Sequence, residues 1–155
     1  MDDAESIKKE LIHDCHIFVE ERITNARQAM NAAQESANTE EKSSAGDKYE
    51  TGRAMAQIER DKAARQLNEA LLLRNTLANV SMKRAGLSDQ VAQGSLVKTE
   101  KNNFFIAISA GKKQVAGIDY YVIASATPIG RVLMGLKVGD QFPFNNQLHT
   151  ILEIL

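Results

Sequence analysis

Apolar positions in the first half of the chain recur every three or four residues, which is the spacing of one helix face. Over 4–35 there is no proline or glycine, and the recurring positions are Ile12, Cys15, Val19, Ile23, Ala26, Met30 and Ala33. Over about 44–79 there is no proline, and the pattern returns at Ala56, Ala63, Leu67, Ala70 and Leu77. A narrow, alanine-rich seam suits two closely packed helices, so the sequence predicts an antiparallel coiled-coil hairpin over 1–80.

The stretch between the two predicted helices is small and polar and carries a glycine, so it is predicted to be the tip of the hairpin, at about 36–47. Asn38 and Glu41 have the spacing of a helix-capping pair, and Ser44 and Asp47 have a weaker version of it. The second helix is therefore predicted to begin at one of these two places. Both alternatives put carboxylates at its N-terminus.

After residue 94 the pattern changes to short extended runs, which predict a small β-rich domain over 95–155 behind a linker at 81–94. Five strands are predicted, at 95–99, 104–109, 118–124, 141–144 and 148–155, with turns at 101–103, 111–113 and 145–146. Between the third and fourth strands, Thr127, Pro128 and Gly135 mark the start and end of one short helix. The predicted fold class is α+β.

The balance of charges also differs between the predicted hairpin and the rest of the chain. The net charge is −1, but acidic residues exceed basic ones by four in 1–80, and basic residues exceed acidic ones by three in 81–155. No apolar run is long enough for a spanning helix and the first residues are acidic and polar, so a cytoplasmic location is expected. The single cysteine, Cys15, excludes an internal disulfide, and its place on the apolar stripe predicts a buried thiol.

The segment 125–140 reads S-A-T-P-I-G-R-V-L-M-G-L-K-V-G-D. It resembles the S-P-I-G-R-A-L-x-G-K-x-x-G-D signature of the Gre transcript-cleavage factors of bacterial RNA polymerase, the GreA/GreB-like family. Residues 148–154 resemble the closing strand of that family, and the helical hairpin matches its layout. The resemblance covers nearly the whole chain and is most specific in its last third.

The resemblance implies an N-terminal coiled coil that enters the polymerase secondary channel and a C-terminal domain of FKBP-like fold that docks on the channel rim. Acidic residues at the tip then help to hold a Mg²⁺ ion shared with the polymerase, which cleaves its own backtracked RNA. The implied protein is a monomer, has no active site, binds no cofactor alone, contacts RNA only indirectly and has no membrane partner.

The tip of this chain departs from the family pattern G-D-L-K-E-N-A-E-Y. If Tyr49 matches the family tyrosine, Lys42 and Ala45 stand where acids are expected. If Asn38 and Glu41 are matched to the acid pair instead, Tyr49 lies about one helical turn too far along, and Asn38 replaces the first acid.

The candidate magnesium-directing residues are Glu41, which is the first choice, Asp47 as the second charge, and Glu40 as a neighbour. Carboxylates suit this role because Mg²⁺ prefers hard oxygen ligands and keeps several waters, one of which a metal ion can activate. The candidate polymerase-docking residues are basic: Arg131, Lys137, Lys112 and Lys113. Direct nucleic-acid recognition is the weaker interpretation of these charges.

Two other functions stay open. A secondary-channel regulator uses the same hairpin but does not stimulate cleavage, because it lacks a matched acid pair. A peptidyl-prolyl isomerase or chaperone is suggested by the FKBP-like fold, although a fold does not imply an activity. Phe104, Phe105, Tyr120 and Tyr121 are predicted to be core residues of the sheet rather than the lining of a proline pocket.

Overall fold

The structure, a computed structural model, describes the backbone of residues 2–42, 46–81 and 90–155 and the side chains of 3–39, 50–80 and 90–155. Two long helices come first, α1 (Asp2–Lys42) and α2 (Gly46–Ser81). The shorter elements are β1 (Leu96–Thr99), β2 (Asn103–Ile106), β3 (Gly111–Val115), β4 (Ile118–Ile123), α3 (Pro128–Leu133), β5 (Gln141–Phe144) and β6 (Gln147–Ile154). The predicted α+β fold class is confirmed.

The first helix is longer than the sequence predicted. It ends at Lys42 rather than near residue 35, and α2 begins at Gly46. Residues 36–42 therefore belong to α1 rather than to the connection between the two helices. The connection between the helices falls on 43–45, which lie outside the described residues.

Polar side chains in the last part of α1 bond within the helix. Gln34 Nε2 donates to Asn38 Oδ1 at 3.1 Å, and Thr39 Oγ1 donates to the carbonyl oxygen of Glu35 at 3.0 Å. Each bond joins residues four apart, which are neighbours on a helix surface. Asn38 is thus an interior residue of α1, and the prediction that it starts the second helix is wrong.

Buried positions on both helices follow coiled-coil spacing. On α1 the buried apolar residues include Leu11, Cys15, Val19, Ile23, Ala26 and Ala33, and on α2 they include Ala56, Ala63, Ala70 and Leu77. Leu11 takes the place predicted for Ile12, because it lies four residues before Cys15. Ile12, Met30 and Leu67 are half-buried.

The chain divides into two compact units. Residues 18–74 form one, the hairpin unit, and residues 1–17 with 75–155 form the other, the sheet unit. The predicted division instead placed 1–80 in one domain. The first part of α1 and the last part of α2 fall in the sheet unit, where Leu11, Cys15, Leu77 and Val80 are almost completely buried.

The sheet unit also includes part of the segment predicted as a linker. Residues 82–89 lie outside the described residues, but 91–94 are bonded to the rest of the unit. Val91 is buried and its N–H donates to the carbonyl oxygen of Leu136 at 2.8 Å. The N–H of Gly94 donates to the carbonyl oxygen of Ile106 at 2.7 Å.

Six strands form the sheet in the order β3-β4-β2-β1-β6-β5. Neighbouring strands are antiparallel except for β2 and β4, which are parallel. The sequence predicted five strands, because Gly111-Lys112-Lys113 resembles a turn. These residues instead begin β3, where they pair with Val122, Tyr121 and Tyr120 of β4.

Both faces of the sheet are packed. On one face Leu133 of α3 joins a cluster that includes Val97, Phe104, Ile106, Phe142 and Ile151. Because neighbouring residues of a strand point to opposite faces, Phe105 lies on the other face, and it is also fully buried. Tyr120 is fully buried too. The predicted core residues Phe104, Phe105 and Tyr120 are confirmed, and Tyr121 is partly buried against the cluster.

No helix in the ranges that the structure describes is both long enough and apolar enough to span a membrane.

Candidate functional site

The short helix α3 is built by the residues that precede it. Thr127 caps its N-terminus: the hydroxyl oxygen accepts a hydrogen bond from the N–H of Gly130 at 3.1 Å. The same hydroxyl donates to the carbonyl oxygen of Ala124 at 2.7 Å. Pro128 follows at the first helical position, where no N–H is needed. These contacts tie the start of α3 to the chain that leaves β4.

Gly130 is required by a close backbone approach. A Cβ atom placed on this residue would lie 2.1 Å from the carbonyl oxygen of Ala124. No real Cβ tolerates such a distance, and the opposing atom belongs to the backbone, so a side-chain movement cannot relieve it. Glycine at this position therefore allows α3 to lie against the end of β4.

Arg131 is an exposed cation in the last turn of α3. Ile129 packs against the core cluster and Leu133 is fully buried. Arg131 is exposed and makes no ion pair with any residue that the structure describes. Packing and capping thus explain the threonine, proline, isoleucine and glycine of the segment but leave the arginine available for a partner.

The turn after α3 presents a second exposed cation. Gly135 has φ +85°, a left-handed conformation that glycine adopts without strain. The N–H of Lys137 then donates to Asp140 Oδ2 at 2.8 Å, which fixes the backbone of this turn. The side chain of Lys137 remains exposed. Arg131 and Lys137 are thus two exposed cations six residues apart in the chain.

Lys112 and Lys113 lie elsewhere, on the edge strand β3. Lys112 Nζ is 3.2 Å from Asp119 Oδ2 on β4, and both side chains are about half exposed. Lys113 is partly buried. Since α3 contacts β5 and the sheet order places β3 and β5 at opposite edges, the four predicted docking cations divide into two groups.

The tip acids occupy the facing ends of the two long helices. Glu40 and Glu41 lie in the last turn of α1, and Asp47 is the second residue of α2. Their side chains lie outside the described residues. The helix dipole favours a negative charge at the start of a helix and disfavours one at its end. Helix stabilisation therefore accounts for Asp47 but not for Glu40 and Glu41.

Cys15 is a structural residue. Its side chain is fully buried, and burial raises the pKa of the thiol to about 11, although the nearby charge of Lys113 acts in the opposite direction. The thiol is thus protonated at neutral pH and is a poor nucleophile. Among the described residues no three His, Cys, Asp or Glu side chains come together as metal ligands.

One polar contact that the sequence did not predict joins the turn after β1 to β6. Both carboxylate oxygens of Glu100, in the turn after β1, accept the N–H of Thr150 on β6, at 3.0 and 3.1 Å. Hydrogen bonds from the backbone N–H groups of Glu100 and Thr150 lower the pKa of this carboxyl group. No local pattern announces the contact, because the two residues are fifty positions apart.

The aromatic side chains of the sheet pack against each other rather than line an open site. The ring of Phe104 lies 5.7 Å from that of Tyr121, 5.8 Å from Phe142 and 5.2 Å from Phe144, measured between centroids. The ring of His149 stacks on Phe142 at 5.5 Å. Edge-to-face and offset contacts at these distances are typical of a core.

Within the hairpin unit, a groove of about 410 Å³ runs between the helices. Its lining consists mainly of small side chains: Ala29, Ala32, Ala33, Ser36, Gly52, Met55, Ala56 and Glu59. The groove lies beside the buried alanines Ala33 and Ala56 of the two helices.

Comparison with known proteins gives a limited result. No protein-family model and no curated protein matches the chain. A crystal structure of GreA factor homolog 1 (Gfh1) of Thermus thermophilus matches with a TM-score of 0.34 and 14% identity, over 88% of this chain and 92% of that one. A structure described as the transcription factor Gfh1 matches with a TM-score of 0.34 and 17% identity, over 92% of each chain. Gfh1 of Thermus aquaticus matches with a TM-score of 0.33 and 16% identity, over 90% and 92%. At these values the similarity identifies neither a family nor a function.

Proposed function

We propose that this protein binds bacterial RNA polymerase and stimulates the polymerase's own cleavage of backtracked RNA, without an active site of its own. The observation that carries the proposal is the segment 127–135. Its sequence resembles the Gre signature, and it presents Arg131 as an exposed side chain that is in no ion pair with a described residue. Arginine is one of the residue types that contribute most to protein–protein interfaces.

The two long helices support the proposal by their length. At about 1.5 Å per residue, α2 is roughly 54 Å long over its 36 residues. A pair of such helices is long enough to carry a side chain into a deep, narrow channel. Glu40, Glu41 and Asp47 are at the ends where α1 and α2 connect, so they are the residues that such an insertion presents first.

The chemistry of these acids fits a shared magnesium ion. Carboxylate oxygens are hard ligands, and a Mg²⁺ ion held by one or two of them keeps waters of its own. Glu41 and Asp47 would hold this ion together with the polymerase, and the ion would supply a coordinated water of lowered pKa for attack on the RNA phosphate. Glu41 remains our first choice, with Asp47 second and Glu40 as a neighbour.

Docking is assigned to the sheet unit, with Arg131 and Lys137 as its central cations. Both side chains are exposed, and neither is in an ion pair within the described residues. Lys112 contributes less in this proposal, because Asp119 already pairs with it. A charge at the rim of an interface mainly affects the association rate and its salt dependence.

Transcript cleavage in arrested elongation complexes tests the proposal. The purified chain is added to bacterial RNA polymerase stalled in a backtracked state, and RNA shortening is followed with time at several Mg²⁺ concentrations. Cleavage should be stimulated by the parent chain. Stimulation by Glu41→Ala and Asp47→Ala should fall steeply at limiting Mg²⁺ and recover partly at high Mg²⁺, while binding to the polymerase stays nearly unchanged.

The matched control is Glu59→Ala, which removes an exposed acid from the same helix as Asp47, about 18 Å away at 1.5 Å per residue. It should stimulate cleavage like the parent. If the Glu41/Asp47 double variant is as active as the parent, these acids have no catalytic role. If Arg131→Ala and Lys137→Ala leave the polymerase affinity and its salt dependence unchanged, the docking assignment is wrong.

A second candidate function is regulation of the polymerase through the same channel without stimulation of cleavage. The observation that favours it is Asn38, which takes the place of the first acid in one alignment of the tip. Its Oδ1 accepts a hydrogen bond from Gln34 inside α1, so it acts as a helix-surface residue. The same assay decides: a parent chain that binds the polymerase and inhibits synthesis, but never shortens the RNA, is such a regulator.

A further inference from the structure

We draw no further inference here: the strongest candidate, the exposed apolar side chains of Pro143, Leu148 and Leu152 on the β5–β6 hairpin, carries nothing because no residue that the structure describes shows what covers them.

Discussion

The hairpin unit and the sheet unit bury very different side chains. Of the apolar residues buried in the described part of the hairpin unit, five are alanines, at 26, 33, 56, 63 and 70, and the other two are Val19 and Ile23. The sheet unit buries the rings of Phe104, Phe105, Tyr120 and Phe142. A buried methyl group is worth about 0.8 kcal/mol and a buried Phe about 1.5–3 kcal/mol. Side-chain burial therefore stabilises the sheet unit far more per residue.

Large apolar residues of the hairpin unit lie on its surface instead. Met55, Ile58 and Leu72 are 63%, 63% and 65% exposed, while alanines occupy the seam of the same helix. The ion pair between Arg74 and Glu20, at 3.8 Å, joins two half-exposed side chains and adds at most about 1 kcal/mol. Small side chains at the seam allow two helices to approach closely. The hairpin unit therefore has a core of mainly small side chains and leaves several of its large apolar side chains exposed.

The largest expected effect comes from the centre of the sheet core. Phe104→Ala removes a fully buried ring that contacts Tyr121, Phe142 and Phe144, and should lower the free energy of unfolding by about 3–5 kcal/mol. Urea denaturation followed by near-ultraviolet circular dichroism measures the change. Phe104→Leu, which keeps most of the volume, should cost clearly less. Equal losses for the two variants would show that ring packing does not dominate this core.

The second-largest loss of stability is expected when a side chain is added at Gly130. Gly130→Ala puts a Cβ where the carbonyl oxygen of Ala124 leaves no room, so α3 must shift, at a cost of about 1–3 kcal/mol or more. Thermal unfolding measures the loss. Gly135→Ala is a useful comparison: its Cβ would meet no atom within 4 Å, and its cost arises only from φ +85°. If Gly130→Ala is as stable as the parent, the close approach is not real.

Much of this fold could be predicted because its signals are local. The spacing of apolar residues indicated the long helices, and Thr127 with Pro128 marked the start of α3. The end of α1 was missed because Ser, Asn, Thr and Glu residues resemble a loop, although here the side chains of Asn38 and Thr39 bond to residues four positions earlier in the helix. β3 was missed because its residues form a strand by pairing with β4, and no local sequence pattern predicts that pairing.

The candidate site was predictable to a smaller extent. Arg131 was named for its basic charge and Thr127 as the start of a helix, but only the structure shows that Arg131 is exposed and that Gly130 lies against a backbone oxygen. The division of the basic residues into two groups follows from the order of strands in the sheet, which depends on contacts between distant segments. No local sequence pattern predicted the role of Glu100, because its partner Thr150 is fifty positions away in the chain.

A smaller effect is expected from a glycine substitution in the hairpin unit, which tests whether the two units open independently. Ala63→Gly removes a methyl group from the seam, at about 0.8 kcal/mol, and lowers helix propensity by about 1 kcal/mol. Amide hydrogen exchange should therefore accelerate within 18–74 and much less in the strands. Ala54→Gly changes propensity at an exposed position of the same helix, so the difference between the variants isolates the seam. Equal acceleration in both units would mean that the chain opens as one cooperative unit.

The smallest expected effect depends on pH and concerns the carboxylate of Glu100. Hydrogen bonds to the folded carboxylate lower its pKa, so its stabilising contribution is present above the unfolded pKa and is lost as the pH falls through the folded pKa. The melting temperature of the parent should exceed that of Glu100→Gln near neutral pH, and the difference should shrink as the pH falls below about 4.3, the ordinary value for Glu. A Glu100→Gln difference that is constant from neutral to acidic pH would show that the bond to Thr150 does not favour the charged form.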